Sequence, residues 1–138
     1  MKIESLNCGP KFSGNVILLR SGVSGSAAKV ADDVYVHHSQ ILSPEEFAEG
    51  NAKVADVVKG IQQKVADLDV TVWVERMGQY ARAFQKPSNS KPEAIVLSRN
   101  IGEVMDGLAG AKITEGKLEV PAFKDTNKTF IPFAKTKY

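Results

Sequence analysis

The sequence predicts an α+β fold, with a mostly antiparallel or mixed sheet of about six to eight strands covered by one long helix, about residues 44–68, plus one or two short helices. Three observations predict this class. Several runs of strand length are rich in β-branched residues, one long segment repeats its apolar residues at helical spacing, and no linker divides the chain. Residues 1–138 are therefore expected to form a single α+β domain.

The first third of the chain contains three strand-like segments and one ambiguous segment. Residues 2–7 and 14–20 are predicted strands, and the second is apolar enough to be buried on both faces. The Gly- and Ser-rich loop 21–26 could hold an anion, although the Gly-Lys-Ser/Thr of a P-loop is missing. Residues 26–33, "SAAKVADD", could start a short helix, and residues 33–38 alternate like a strand.

The predicted long helix has a clear beginning. Ser43 suits the N-cap, Pro44 the first helical position and Glu46 the third, which together make a capping box. Residues at helical spacing then form one apolar stripe: Phe47, Val54, Val58, Ile61, Val65 and Leu68. Because Gly50 disfavours a helix interior, "EGN" could also divide this segment into a short turn and a helix from Ala52. The stripe is expected to pack on a sheet.

The second half returns to strands. Residues 70–75 alternate strictly, so that Val70, Val72 and Val74 share one face. The segments that follow are a buried-type strand at 93–99, a short helix capped by Asn100 and stopped near Gly110, a hairpin turning at Glu115-Gly116, and a last strand at 128–135, which Pro132 assigns to a sheet edge.

Composition and charge narrow the class of protein. Hydrophobic and charged fractions of 43% and 25% are those of an ordinary globular protein, and no apolar run has the length of a membrane span. A single cysteine, Cys8, allows no internal disulfide. We therefore expect a cytoplasmic protein with no membrane partner.

The charge is distributed unevenly along the chain. Residues 1–70 hold seven basic against nine acidic residues, a balance of −2, and residues 71–138 hold eleven against seven, a balance of +4. The basic half favours an anionic partner.

The segment "RMGQYARAFQK", residues 76–86, carries the leading functional hypothesis. As a helix, it would bury Met77, Tyr80 and Phe84 and expose its basic residues. As a strand, it would align aromatic and basic side chains on one face, as proteins that bind single-stranded nucleic acid do. The predicted nucleic-acid-binding residues are Arg76, Tyr80, Arg82, Phe84, Lys86, Lys91 and Arg99. This hypothesis describes a small, non-catalytic accessory protein without a cofactor.

Two other function classes remain open. A self-assembling or decorating structural protein, such as a coat component, would use the aromatic C-terminal segment: Phe123, Phe130, Phe133 and Tyr138. A protein-targeting inhibitor or adaptor belongs to the same class of function, because binding surfaces of that kind leave no motif. A small metal-dependent nuclease would use Asp106, Glu115 and Lys117, although Gly116 indicates a turn between the last two.

The histidines and the cysteine do not predict a metal site. A structural zinc site needs about four Cys or His ligands, and the chain has three candidates, Cys8, His37 and His38. The two adjacent histidines would point to opposite faces of a strand. We therefore predict no metal ligand and no catalytic residue.

Overall fold

The computed structural model describes residues 14–21, 27–31, 34–37, 39–48 and 52–121. Within them lie nine strands and three helices: β1 Asn15–Ser21, β2 Ala27–Ala31, β3 Val34–His37, β4 Ser39–Leu42, α1 Pro44–Ala48, α2 Ala52–Val65, β5 Val70–Met77, β6 Tyr80–Pro87, β7 Glu93–Asn100, α3 Ile101–Ala109, β8 Lys112–Thr114 and β9 Lys117–Glu119. The strands predicted at 2–7 and 128–135 lie outside the described residues.

Five of the strands form one mixed sheet in the order β4-β1-β5-β6-β7. Only β1 and β5 run parallel, and the other three neighbouring pairs are antiparallel. Strands β8 and β9 form one separate antiparallel hairpin, and β2 and β3 form another. The predicted α+β class with a mixed, mostly antiparallel sheet is confirmed.

The helices cover one face of this sheet, which we call the helix face. Val70, Val72 and Val74 point into it from β5, as their alternation predicts. The predicted apolar stripe supplies the opposite side of the core, with Val54, Val58, Ile61 and Val65 of α2 buried there. Burying each such side chain contributes about 1.5–3 kcal/mol of hydrophobic stabilisation.

The predicted long helix corresponds to two described helices, α1 and α2, and residues 49–51 lie outside the described residues. The capping box is present. The backbone N–H of Glu46 donates to Ser43 Oγ at 3.1 Å, and the backbone N–H of Ser43 donates to Glu46 Oε1 at 2.9 Å. The pKa of the exposed Glu45 carboxyl lies below its usual range. The main cause is a backbone hydrogen bond to this carboxyl, and the next is a hydrogen bond from Lys59.

Two glutamine side chains each form a pair of hydrogen bonds with the backbone of a distant segment. Gln62 of α2 accepts a hydrogen bond from the N–H of Val16 at 3.0 Å and donates to the carbonyl of Gly14 at 3.1 Å. Gln85 of β6 does the same for Leu118 of β9, accepting from its N–H at 2.9 Å and donating to its carbonyl at 2.8 Å. The second contact is buried, and it ties the β8–β9 hairpin to the helix face.

A second, smaller core lies on the opposite side of the sheet, which we call the outer face. Here Val30, Val34 and Val36 of the β2–β3 hairpin pack over Leu19, Trp73, Phe84 and Ala94. The expectation of a short helix within 26–33 is wrong for residues 27–31, which form β2. Alanine and lysine favour a helix locally, but pairing with β3 and burial of Val30 override that preference.

None of the helices in the described ranges is long and apolar enough to cross a membrane.

Candidate nucleic-acid interface

The segment 76–86 belongs to a register-matched hairpin of β5 and β6. Pairing runs from Met77 opposite Tyr80 to Val70 opposite Pro87, so the two eight-residue strands meet along their whole length. The two-residue turn between them contains Gly78 with φ +63°, a conformation that glycine adopts without strain. Good helix formers therefore lie in a strand here, because pairing with β5 outweighs their local preference.

The strand places the basic and aromatic side chains on one face, as the sequence analysis expected for a strand. Ala81, Ala83 and Gln85 point to the helix face. By alternation, Tyr80, Arg82, Phe84 and Lys86 point to the outer face. Their accessibility, however, differs greatly from one end of the strand to the other.

Phe84 is buried in the second core. Only 3% of it is exposed, and its ring centroid lies 5.7 Å from that of Trp73, its cross-strand partner. The indole Nε1 of Trp73 is buried and has no hydrogen-bond partner among the described residues. The β2–β3 hairpin covers this pair, so neither ring is available for a base to stack on.

Arg82 is held by a buried carboxylate. Its Nη2 lies 2.8 Å from Glu75 Oε1, its Nε donates to the same oxygen at 2.9 Å, and Glu75 itself is 1% exposed. The guanidinium also lies 5.9 Å from the centroid of the Phe84 ring. Because the Arg82 side chain remains 28% exposed, its guanidinium can still contact a phosphate, although Glu75 offsets much of its charge.

Tyr80 is the accessible aromatic residue of this strand, with 56% of it exposed. It opposes Asn100 at the last residue of β7. A bulge in β7 places Leu97 and Ser98 opposite Arg82, and Leu97 is 42% exposed. Tyr80, Arg82, Lys86 and Leu97 therefore form a strip of aromatic, basic and apolar side chains along β6 and β7, which we call the β6 strip.

The other predicted contact residues lie around this strip or away from it. Arg76 points to the helix face, where its Nη1 donates to the carbonyl of Phe47 at 2.6 Å. Arg99 is exposed and lies opposite Ala81, whose side chain also faces the helices. Lys91 is exposed in the loop between β6 and β7, near the Lys86 end of the strip. Tyr80 and Lys86 are six residues apart, so the strip is about 20 Å long.

The residues of the nuclease hypothesis pair with other partners. Asp106 lies 3.2 Å from Lys53, and Lys117 lies 3.2 Å from Glu93. Glu115 occupies the β8–β9 turn with φ +53°. Across the part of the chain that the structure describes, no group of three His, Cys, Asp or Glu side chains could hold a metal ion.

The predicted assembly residues lie outside the described ranges, as do Cys8, His38 and residues 22–26 of the loop considered for anion binding.

An open cleft of about 440 Å³ lies at the Lys86 end of the sheet, between the loops around Asp69, Ser88 and Glu115. Two of its lining residues are joined by a hydrogen bond, in which Ser88 Oγ donates to Asp69 Oδ1. Its lining includes the carboxylates of Asp67, Asp69 and Glu115, with Lys117 as the cation among its residues. The basic β6 strip therefore suits an anionic ligand better than this mainly acidic cleft does.

Sequence reasoning missed one pair of exposed residues on the outer side of the molecule. Lys29 of β2 and Tyr35 of β3 are cross-strand partners, and Lys29 Nζ lies 5.9 Å from the centroid of the Tyr35 ring. The signal was in the sequence, since Tyr35 lies between two valines that point inward. The possible short helix within residues 26–33 obscures this signal, because a helix would not place Lys29 opposite Tyr35.

No protein family, no curated protein and no solved structure matches this chain.

Proposed function

We propose that this protein binds single-stranded nucleic acid along the β6 strip, without catalysing a reaction. In this proposal Tyr80 stacks on a base, while Arg82 and Lys86 contact the phosphates on either side. The observation that carries the proposal is the 56% exposure of Tyr80 on the same strand face as two basic side chains. Phe84 supports the strip from below and does not stack.

The chemistry of the strip suits a flexible single strand. An exposed ring accepts any base, because every base has an aromatic face. Lys86 and Lys91 supply positive charge at one end, and Arg82 supplies it two residues from Tyr80, so a backbone could meet cations along the strip. The partial neutralisation of Arg82 by Glu75 favours modest affinity.

The proposal is tested by fluorescence anisotropy of a labelled thymidine oligomer, titrated with the protein at low and at physiological salt. We expect Tyr80→Ala to weaken binding by about five- to 150-fold, the equivalent of ~1–3 kcal/mol. Lys86→Gln should reduce the slope of log affinity against log salt by about 0.7. Ile113→Ala and Lys112→Gln are matched controls, because both residues are exposed on β8.

Two results would overturn the proposal. One is the absence of salt-sensitive binding at low salt. The other is binding that Tyr80→Ala weakens no more than Ile113→Ala does. Trp73 fluorescence, recorded on the same samples, verifies that each variant keeps the second core intact, because Trp73 is buried there.

Self-association is a second candidate function, and a different observation favours it. Among the described strands, β4 and β7 lie at the two ends of the sheet, and each carries a large exposed aliphatic side chain, Ile41 at 58% and Leu97 at 42%. Exposed edges with apolar side chains are prone to pair with a second copy. Light scattering after size exclusion would detect an oligomer, and Ile41→Lys or Leu97→Lys should dissociate it if these edges form the contact.

A further inference from the structure

The outer surface of the β2–β3 hairpin carries a second aromatic residue beside a cation. Tyr35 is 39% exposed, and the alternation of β3 directs it away from Val34 and Val36, which point into the second core. Lys29, directly across in β2, is exposed and holds its ammonium 5.9 Å from the ring centroid. Lys29 makes no ion pair with any acidic side chain in the described ranges.

This pair lies on the same side of the sheet as the β6 strip. The hairpin covers the outer face, so side chains that point away from its buried valines face solvent beyond that face. The hairpin packs over Phe84, in a second layer about 10 Å above β6, and Tyr80 is four residues from Phe84, about 13 Å along the strand. Tyr35 and Tyr80 are therefore on the order of 15–20 Å apart, a distance that about twelve nucleotides exceed even at the ~3.4 Å per nucleotide of a strand in duplex DNA.

We infer that Lys29 and Tyr35 form a second contact point for the same nucleic acid strand, so that the bound strand runs from the β6 strip over the hairpin. This inference rests on the proposed function. Tyr35 offers a ring for a second base, and Lys29 offers a charge that, unlike that of Arg82, no described carboxylate offsets. The contact is a binding site for a backbone phosphate and an adjacent base, with no requirement for a particular sequence.

The length of the oligomer separates this inference from a single-site interaction. With a labelled thymidine oligomer of about twelve nucleotides, which can reach both rings, Tyr35→Ala should weaken binding about fivefold or more. Tyr35→Phe, which keeps the ring, should bind like the unchanged protein. The double variant Tyr35→Ala/Tyr80→Ala should lose more affinity than either single variant. The gain in affinity on lengthening the oligomer from about four to about twelve nucleotides should shrink in Tyr35→Ala.

A second readout detects contact directly. After ultraviolet irradiation of the complex, the peptide that contains Tyr35 should carry a crosslinked nucleotide, and addition of salt should suppress the crosslink as it weakens binding. An unchanged Trp73 emission spectrum in Tyr35→Ala verifies that the hairpin still covers the second core.

Each outcome has a definite meaning. If Tyr80→Ala weakens binding while Tyr35→Ala binds both oligomers like the unchanged protein, this inference is overturned and the proposed function stands. If the unchanged protein binds neither oligomer, the proposed function and this inference both fail. If Tyr35→Ala weakens binding and Tyr80→Ala does not, the hairpin site is supported and the assignment to Tyr80 is wrong.

Discussion

Replacing Phe84 with alanine should destabilise the fold, whereas replacing Tyr80 on the same strand face should not. Phe84 is 3% exposed and packs against Trp73 under the β2–β3 hairpin, whereas Tyr80 is 56% exposed. Truncation of a buried phenylalanine typically costs about 3–5 kcal/mol, because the lost transfer free energy is joined by the cost of the cavity. Exposed substitutions usually stay within about 0.5 kcal/mol.

Urea denaturation followed by Trp73 fluorescence measures this difference. With a slope of about 2 kcal/mol per molar urea, a loss of about 4 kcal/mol lowers the unfolding midpoint by about 2 M. Domains of this size have total stabilities of about 5–15 kcal/mol, so Phe84→Ala could be only marginally folded. Phe84→Leu is therefore the second variant, with an expected cost of about 1–1.5 kcal/mol.

The assignment of Phe84 to the second core would be refuted by one result. That result is a midpoint for Phe84→Ala within about 0.3 M of the unchanged protein, with a slope that is also unchanged. The ring would then be free of the hairpin, and it would return to the set of side chains on which a base could stack.

Three further substitutions test the packing of the helix face. Gly14→Ala should cost at least about 3 kcal/mol, since its Cβ would lie 1.7 Å from the carbonyl oxygen of Val65. Gly60→Ala in α2 is the matched control and should raise stability by about 1 kcal/mol, because its Cβ has nothing within 4 Å. Equal midpoints for the two variants would contradict the close approach at Gly14. Gln85→Ala should cost about 2–4 kcal/mol, since it leaves the buried N–H and carbonyl of Leu118 without their partner. Hydrogen exchange at the Leu118 amide should then accelerate, and unchanged protection would contradict this account.

The sequence predicted correctly the features that depend on residues close to one another in the chain. The capping box at Ser43 and Glu46, the N-cap Asn100 and the turn at Glu115-Gly116 all occupy the predicted positions. Each of these signals depends on side chains within a few residues of one another, so a short window of sequence contains its cause. The apolar stripe of α2 was predictable for the same reason, because helical periodicity lies within one segment.

Contacts between distant segments were not predictable in the same way. Residues 27–31 form a strand because β3 pairs with them and the second core buries Val30. Gln62 and Gln85 each complete the hydrogen bonding of a strand through a residue more than thirty positions away, Gly14 and Leu118 respectively. A glutamine in such a role has the same local pattern as an exposed one, so periodicity alone assigns both to the surface.

Residues 76–86 left helix and strand both open; the face pattern of β6 was predicted for the strand alternative, but the accessibility of that face was not. Alternation fixes which side chains share a face, and it does so equally for a core and for a ligand surface. The β2–β3 hairpin decides between the two, because it covers Phe84 at the centre of the face and leaves Tyr80 at the end exposed. A buried Glu75 likewise converts Arg82 from a solvated cation into a partly neutralised one.

The same hairpin that removes Phe84 from the candidate surface presents Tyr35 and Lys29 above it. If the protein binds a single strand, the hairpin therefore adds a stacking ring in a second layer to the one that Tyr80 provides on β6, and Tyr35→Ala is the variant that tests this addition.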